Sequence, residues 1–285
     1  MVAPASPFDP EKFKKGKTIL ESMGFQTFYD ESIFQTNGFL TGTDIQRADQ
    51  VNRLFADPSV QGIVCARGGY GSMRILPLLD LKTIQTHPKL FLGFSDISAL
   101  LAMLYDRFGL VTLHGPMVTT LANATEKTIM AMKTALTSDV PLEVIPEDGM
   151  AIKPGMCSGT LTGGNLTTLC HLVGTPYTPN FKGKILLLED VGEMPYRIDR
   201  MLTQMKLSGC FNGIAGLALG AFAECGGWNE IAEIFDNVFG GLDIPILAGF
   251  DIGHGEHNLT IPMGVDATLD TEKKRLLFHE SATVS

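Results

Sequence analysis

No block of lysine and arginine runs through this sequence, and its 22 basic residues are outnumbered by 31 acidic ones for a formal charge of −9. A polyanion needs a dense basic stripe to displace its counterions, so nucleic acid is not an expected partner. Uninterrupted apolar stretches of roughly eighteen residues, the length that crosses a bilayer, are also missing. The opening MVAPASPFDPEKFKKGK places no charged segment ahead of a long apolar core. No membrane is expected, and a cytoplasmic location is. Cysteine is scarce: Cys65, Cys157, Cys170, Cys210 and Cys225 are odd in number, widely spaced and without a CxxC pair, a pattern of reduced thiols rather than of disulfides or a zinc site. HGEH, residues 254–257, is too short to set two metal ligands on one helix face. No metal is expected. Internal repeats and low-complexity segments are absent.

What is present is an apolar content of 45% in 285 residues, enough for one large domain or two ordinary ones. From residue 11 to about 135, helical stretches alternate with short apolar runs ending in turn residues. EKFKKGKTILESMG reads as a helix closing at Gly24; GIVCA, KLFLGF and LVTLH read as buried strands, and EKTIMAMKTALTS returns to helix. Continuous apolar strands between helices predict a parallel sheet covered on both faces. The expected fold class is α/β: an N-terminal doubly wound, mostly parallel domain over 1–138, and a smaller, β-rich α/β domain over 152–285. The stretch TSDVPLEVIPEDGMAIKPG, rich in Pro, Gly and acid, marks a linker at 139–151. The first strand is expected to lack its beginning, since MVAPASP supplies few strand-like residues before Pro4.

Ser95 stands between the apolar run LFLGF and the amphipathic DISALLAMLYDRFG. A serine there has the unpaired amides and positive dipole end of a helix beside it, and sharp strand-to-helix turns lift a side chain to where open α/β sheets bind ligands. The same position is also that of an N-cap, and GFSDI keeps only the first glycine of a G-x-S-x-G elbow. Both readings stand at this level. RGGYG, residues 67–71, reads as a tight turn or as a loop whose amides approach an anion. Four aliphatic residues lead into Glu189-Asp190, where a carboxylate at a buried strand end is costly unless paired or employed. His254 lies between two glycines after IPILAGF. Glu189 reads equally as a strand-end ion-pair partner, and His254 as a surface histidine.

Taken together, RGGYGSMRILPLLD, GFSDISALL, HGPM, GGNLTTL, LLLEDVGEMPYRIDRML and GHGEHNLTIPMG resemble the L,D-carboxypeptidases, or muramoyl-tetrapeptide carboxypeptidases, a serine peptidase family that includes microcin-immunity peptidases. The resemblance covers nearly the whole chain and implies a flavodoxin-like, class I amidotransferase-like first domain. It implies Ser95 as nucleophile, His254 as base and Glu189 as its orienting acid, with an oxyanion hole from the amides of Asp96 and of Gly69, Gly68 being the alternate. It further implies no cofactor, a murein tetrapeptide or related peptide as substrate, loss of a terminal D-alanine in cell-wall recycling, and a homodimer. Relatives usually carry several residues before VAPASP, which implies a shortened first strand here.

A carboxypeptidase must bind a free carboxylate, for which arginine is suited; Arg67, Arg74, Arg197 and Arg200 are the candidates, with Arg197 and Arg200 alternatively pairing with Asp199 on a helix surface. Tyr196 and Glu193 are candidates to face the stem's amino groups. His114, in LVTLHGPM, is a candidate substrate-binding residue and the rival to His254 as base. His171 is expected to pack within a helix behind a GGN turn, and the Met201–Met205 stripe to be core or interface. The microcin-immunity branch, cutting a peptidyl-nucleotide amide, is the enzymatic alternative, for which the single Trp228 offers little stacking surface. A non-catalytic binder of an anion is the other.

Overall fold

The computed structural model describes residues 1–283. Its strands are β1 (Gly62–Val64), β2 (Leu90–Gly93), β3 (Thr112–His114), β4 (Glu143–Val144), β5 (Met150–Lys153), β6 (Met156–Asn165), β7 (Ile185–Val191), β8 (Gly216–Ala223), β9 (Ile246–Ala248), β10 (Ile261–Met263), β11 (Asp266–Asp270) and β12 (Arg275–Phe278). They form two sheets, ordered β1-β2-β3-β10 and β4-β12-β11-β6-β7-β8-β9-β5. In the first, β1 to β3 are parallel. In the second, β6 to β9 are parallel and the flanking strands antiparallel.

The mixed α/β architecture follows from the aliphatic runs. Leu186 and Leu188 of β7 point into one core with Ile198, Leu202 and Met205 of the helix Pro195–Leu207 and Phe235 and Phe239 of the helix Trp228–Phe239. Ile185 and Leu187 point the other way, against Phe250, Ile252 and Ile261. Burial on both faces is why this strand reads as an unbroken apolar run rather than an alternating one.

Two expectations are corrected. Residues 139–151 are not a plain linker: β4 and the first two residues of β5 lie there and form the two edges of the eight-stranded sheet. Strands this short carry no period, so composition alone hides them. Nor do the lobes separate cleanly, because β10 from the C-terminal half pairs antiparallel with β3, setting Ile261 opposite His114. The first strand is reduced to a single parallel bridge, Val2 to Cys65, where Val2 N–H donates to Val64 O at 3.1 Å and Ala66 N–H to Val2 O at 2.7 Å.

Candidate active site

The Ser95 position is built by a reversal of the chain in three residues. β2 ends at Gly93, Phe94 remains extended, and Ser95 takes φ +63° before a 3₁₀ turn leads into the helix Ser98–Phe108. A β-carbon on Gly93 would fall 2.6 Å from Ile97 Cγ2, so glycine is required for the turn to fold back on its own strand. A left-handed serine costs roughly 1–3 kcal/mol. Ser95 does not recover that by capping: neither the 3₁₀ turn nor the helix has a side-chain cap, and the Ser95 hydroxyl makes no hydrogen bond among the described residues. The cap alternative therefore falls, leaving a partly exposed hydroxyl held on a strained elbow.

The glycine loop lies against it. A β-carbon on Gly68 would stand 3.3 Å from both Ser95 Oγ and Asp96 N, whereas one on Gly69, at φ +91°, would face Ser6. Asp96 locks the loop: its Oδ2 accepts Ser72 N–H at 2.8 Å, and its carbonyl accepts the Ser72 hydroxyl. Burial raises the Asp96 pKa, opposed by these bonds and by the charge of Arg47. Arg47 is fully buried and donates to Gly71 O at 2.8 Å, to Pro4 O and to Asp44. This arginine carries no motif; in DIQRADQ its i,i+3 spacing from Asp44 reads as an ordinary surface pair.

The second lobe supplies an acid and an imidazole. Glu189 lies on β7 opposite a bulge, β8 spending one extra residue between Leu219 and Phe222, and Gly220 would place a β-carbon 3.2 Å from Glu189 Cβ. The carboxyl is fully buried, and Glu189 Oε2 contacts His254 Nδ1 at 2.6 Å and accepts the His254 N–H at 3.2 Å. A β-carbon on Gly253 would collide with that same oxygen, so the Gly-His-Gly turn exists to bring the imidazole in close. Burial lowers the His254 pKa, but the hydrogen bond from Glu189 and the charges of Glu189 and Asp190 outweigh it, leaving the pKa above the ordinary 6.5. The His254 ring rests on Phe94, the residue that precedes Ser95, with centroids 4.8 Å apart. No hydrogen bond joins Ser95 to His254 among the described residues.

His114 is placed below this surface rather than on it. It is 0% exposed, its ring lies 5.9 Å from that of Phe94, and neither ring nitrogen has a partner. Burial first, and then the neighbouring His254, push its pKa down to about 3; as a direct substrate contact or a rival base it is corrected by its burial. Tyr196 and Arg197 are exposed at the start of the helix Pro195–Leu207. Arg197 Nε donates to the Tyr196 hydroxyl at 3.3 Å and its Nη1 lies 3.5 Å from Glu193, while Arg200 sits over the Tyr196 ring at 5.2 Å. The pairing with Asp199 is replaced by these contacts. Arg74 is held bidentately by Asp44 and Arg67 donates to Pro7 O at 2.6 Å. His171 is exposed, not packed, and Met205 is core.

One α/β lobe holds a strained serine and the other a carboxylate–imidazole pair whose ring packs on the residue before that serine, components that an activated-nucleophile hydrolase requires. Residues 1–115 match the family model for the LD-carboxypeptidase N-terminal domain and residues 158–269 that for the C-terminal domain. The chain belongs to the LD-carboxypeptidase family. A Streptomyces coelicolor relative whose name assigns it as a carboxypeptidase is 37% identical over 100% of this chain and 94% of its own length. The murein tetrapeptide carboxypeptidase of Pseudomonas aeruginosa is 31% identical, over 96% of this chain and 94% of the relative. Among solved structures, MccF in complex with glutamyl sulfamoyl guanosine superposes with a TM-score of 0.91 at 26% identity, covering 99% of this chain and 96% of that one.

Proposed function

We propose that this protein is a cytoplasmic serine carboxypeptidase that releases the terminal D-alanine of murein tetrapeptides by hydrolysing the L,D-peptide bond. The observation that carries the reading is the 2.6 Å contact of buried Glu189 with His254 Nδ1, on a ring packed against the residue before Ser95. That contact leaves Nε2 as the nitrogen free to accept a proton. His254 takes the Ser95 proton as Oγ attacks the scissile carbonyl, and the amides of Asp96 and Gly69 receive the oxyanion. The tetrahedral intermediate collapses to an acyl-enzyme while His254 passes the proton to the leaving D-alanine amine. Water, deprotonated by His254, then hydrolyses the ester and restores Ser95. Glu189 holds the tautomer and stabilises the imidazolium without itself taking the proton. Arg197 and Tyr196, on the rim, are the proposed contacts to the stem.

The test is D-alanine release from a murein tetrapeptide, measured beside cleavage of a peptidyl-nucleotide amide. Turnover of the first supports the proposal; exclusive turnover of the second assigns the protein to the microcin-immunity activity instead. Trp228 is partly buried and packs against the core behind β7 to β9.

Two further outcomes follow from the geometry. Gly68→Ala places a methyl 3.1 Å from Ser95 Cβ and 3.3 Å from Asp96 N, which crowds the oxyanion position; kcat/KM should fall roughly a hundredfold while Tm stays nearly constant. The base must be neutral to act, so kcat/KM should rise with pH along a limb whose midpoint lies above 6.5, the direction in which His254 is shifted. The same shift adds stability below the unfolded histidine pKa and loses it as pH rises through the folded one. His114, with a pKa of about 3, does not titrate in that window.

A further inference from the structure

A chain of buried polar side chains joins the two lobes beside the site, and the roles assigned above do not use it. Ser98 lies one turn beyond the Ser95 elbow, and its Oγ accepts the Asn165 N–H at 3.0 Å. Asn165 ends β6, and its Nδ2 donates to Asp190 Oδ1 at 3.0 Å. Asp190 directly follows Glu189, and its Oδ2 accepts the Thr167 N–H at 2.9 Å and the Thr167 hydroxyl at 2.8 Å. The path runs from the helix that carries the nucleophile, across the tip of β6, to the residue next to the carboxylate that holds His254. All three side chains are buried, Ser98 at 0%, Asn165 at 5% and Asp190 at 2% exposure.

The chain backbone is shaped to let this contact form. A β-carbon on Gly164, at φ +130°, would stand 2.5 Å from Ser98 Oγ and 3.6 Å from His114 Cδ2, so β6 reaches the nucleophile helix only as glycine. Burying a carboxylate is costly, and here burial raises the Asp190 pKa against the bonds from Thr167 and Val191 that lower it. Apolar packing would hold two lobes together at less cost, but without fixing a distance; a chain of directional bonds with every link satisfied fixes one.

We propose that Ser98, Asn165 and Asp190 are positioning residues, a hydrogen-bonded strap that sets the separation of the Ser95 helix from the Glu189 strand and so keeps Ser95 within reach of His254. The proposal rests on the triad reading above. Asn165 also caps the short helix Leu166–Leu172 by accepting the Thr168 N–H at 3.0 Å, and Asp190 accepts the Thr167 N–H in its first turn, roles that affect stability alone. The strap predicts an effect on rate, because small misplacement of reacting groups costs far more in rate than in folding.

The test is the rate at which a fluorophosphonate labels Ser95, with kcat and KM for D-alanine release measured in parallel. Ser98→Ala, Asp190→Asn and the double variant are compared with Phe239→Leu, a core change in the helix Trp228–Phe239 that controls for lost stability. Each strap variant should label about tenfold more slowly, with kcat reduced and KM little changed, and the double variant should be no slower than the worse single. Ser98→Ala removes one oxygen and keeps the fold. Labelling at the wild-type rate in the single variants, multiplicative losses in the double, or equal slowing in Phe239→Leu overturns the strap. A wild type that labels at Ser95 but releases no D-alanine rejects the substrate reading and leaves the strap to stand or fall on the labelling rates. Absence of labelling at Ser95 overturns both.

Discussion

Ser95→Ala should reduce D-alanine release to background, a loss of roughly 10⁴- to 10⁶-fold in kcat of the size seen when a nucleophile acting as one unit with its base is removed. The protein should remain folded with almost the same Tm, since among the described residues the hydroxyl makes no hydrogen bond and Ser95 is partly exposed. Ser95→Gly sharpens the prediction. Serine and alanine both carry a β-carbon into φ +63°, but glycine adopts that conformation freely. The glycine variant should therefore be as inactive as the alanine variant yet more stable, by about 1 kcal/mol. Strain concentrated on a residue whose removal improves stability marks a position kept for chemistry. Denaturant unfolding of the three proteins measures it; a glycine variant that is less stable than wild type would remove the strain argument.

Glu189→Gln should be the second large effect. The carboxylate is fully buried against His254 Nδ1 at 2.6 Å. An amide presents either an oxygen or an NH₂ group there, and the latter would leave Nδ1 as the acceptor and the proton on the wrong nitrogen. A fall in kcat of about 10³- to 10⁴-fold is expected, with KM little changed. The direction of the pH effect follows from the forces on His254. Glu189 raises its pKa through a hydrogen bond and a charge, while burial lowers it. Removing the charge leaves burial dominant, so the acid limb should move to lower pH as the maximum falls. A limb that stays in place would mean that Glu189 does not govern the imidazole.

Much of this site was legible along the chain because its members sit where a buried strand ends. Glu189 after ILLL and Ser95 after LFLGF are polar residues at points where apolar periodicity stops, and such residues need a partner or a task. The family resemblance favoured nucleophile over cap, which local pattern could not, because both require the same strand-to-helix step. Arg47 was not legible: a buried arginine holding the Gly71 carbonyl has the same neighbours in sequence as a solvated one. β6 was hidden by its Gly and Thr content, which lacks the aliphatic signature of its neighbours in the sheet. The return of β10 to the first sheet was also hidden, since a three-residue strand pairs by tertiary position and not by its own period. His114 shows the opposite failure: a histidine ending a strand reads as pointing to the ligand side of the sheet, yet it is fully buried with Phe94 edge-on beside it.

The most direct measurement is a crystal structure of the protein with a phosphonate analogue of a D-alanyl peptide bound. The account predicts a covalent bond from phosphorus to Ser95 Oγ, the phosphonyl oxygen on the amides of Asp96 and Gly69, and His254 Nε2 within about 3.2 Å of the Ser95 oxygen while Nδ1 remains on Glu189. An adduct on another residue, or an imidazole turned away from the Ser95 oxygen in the adduct, would contradict it.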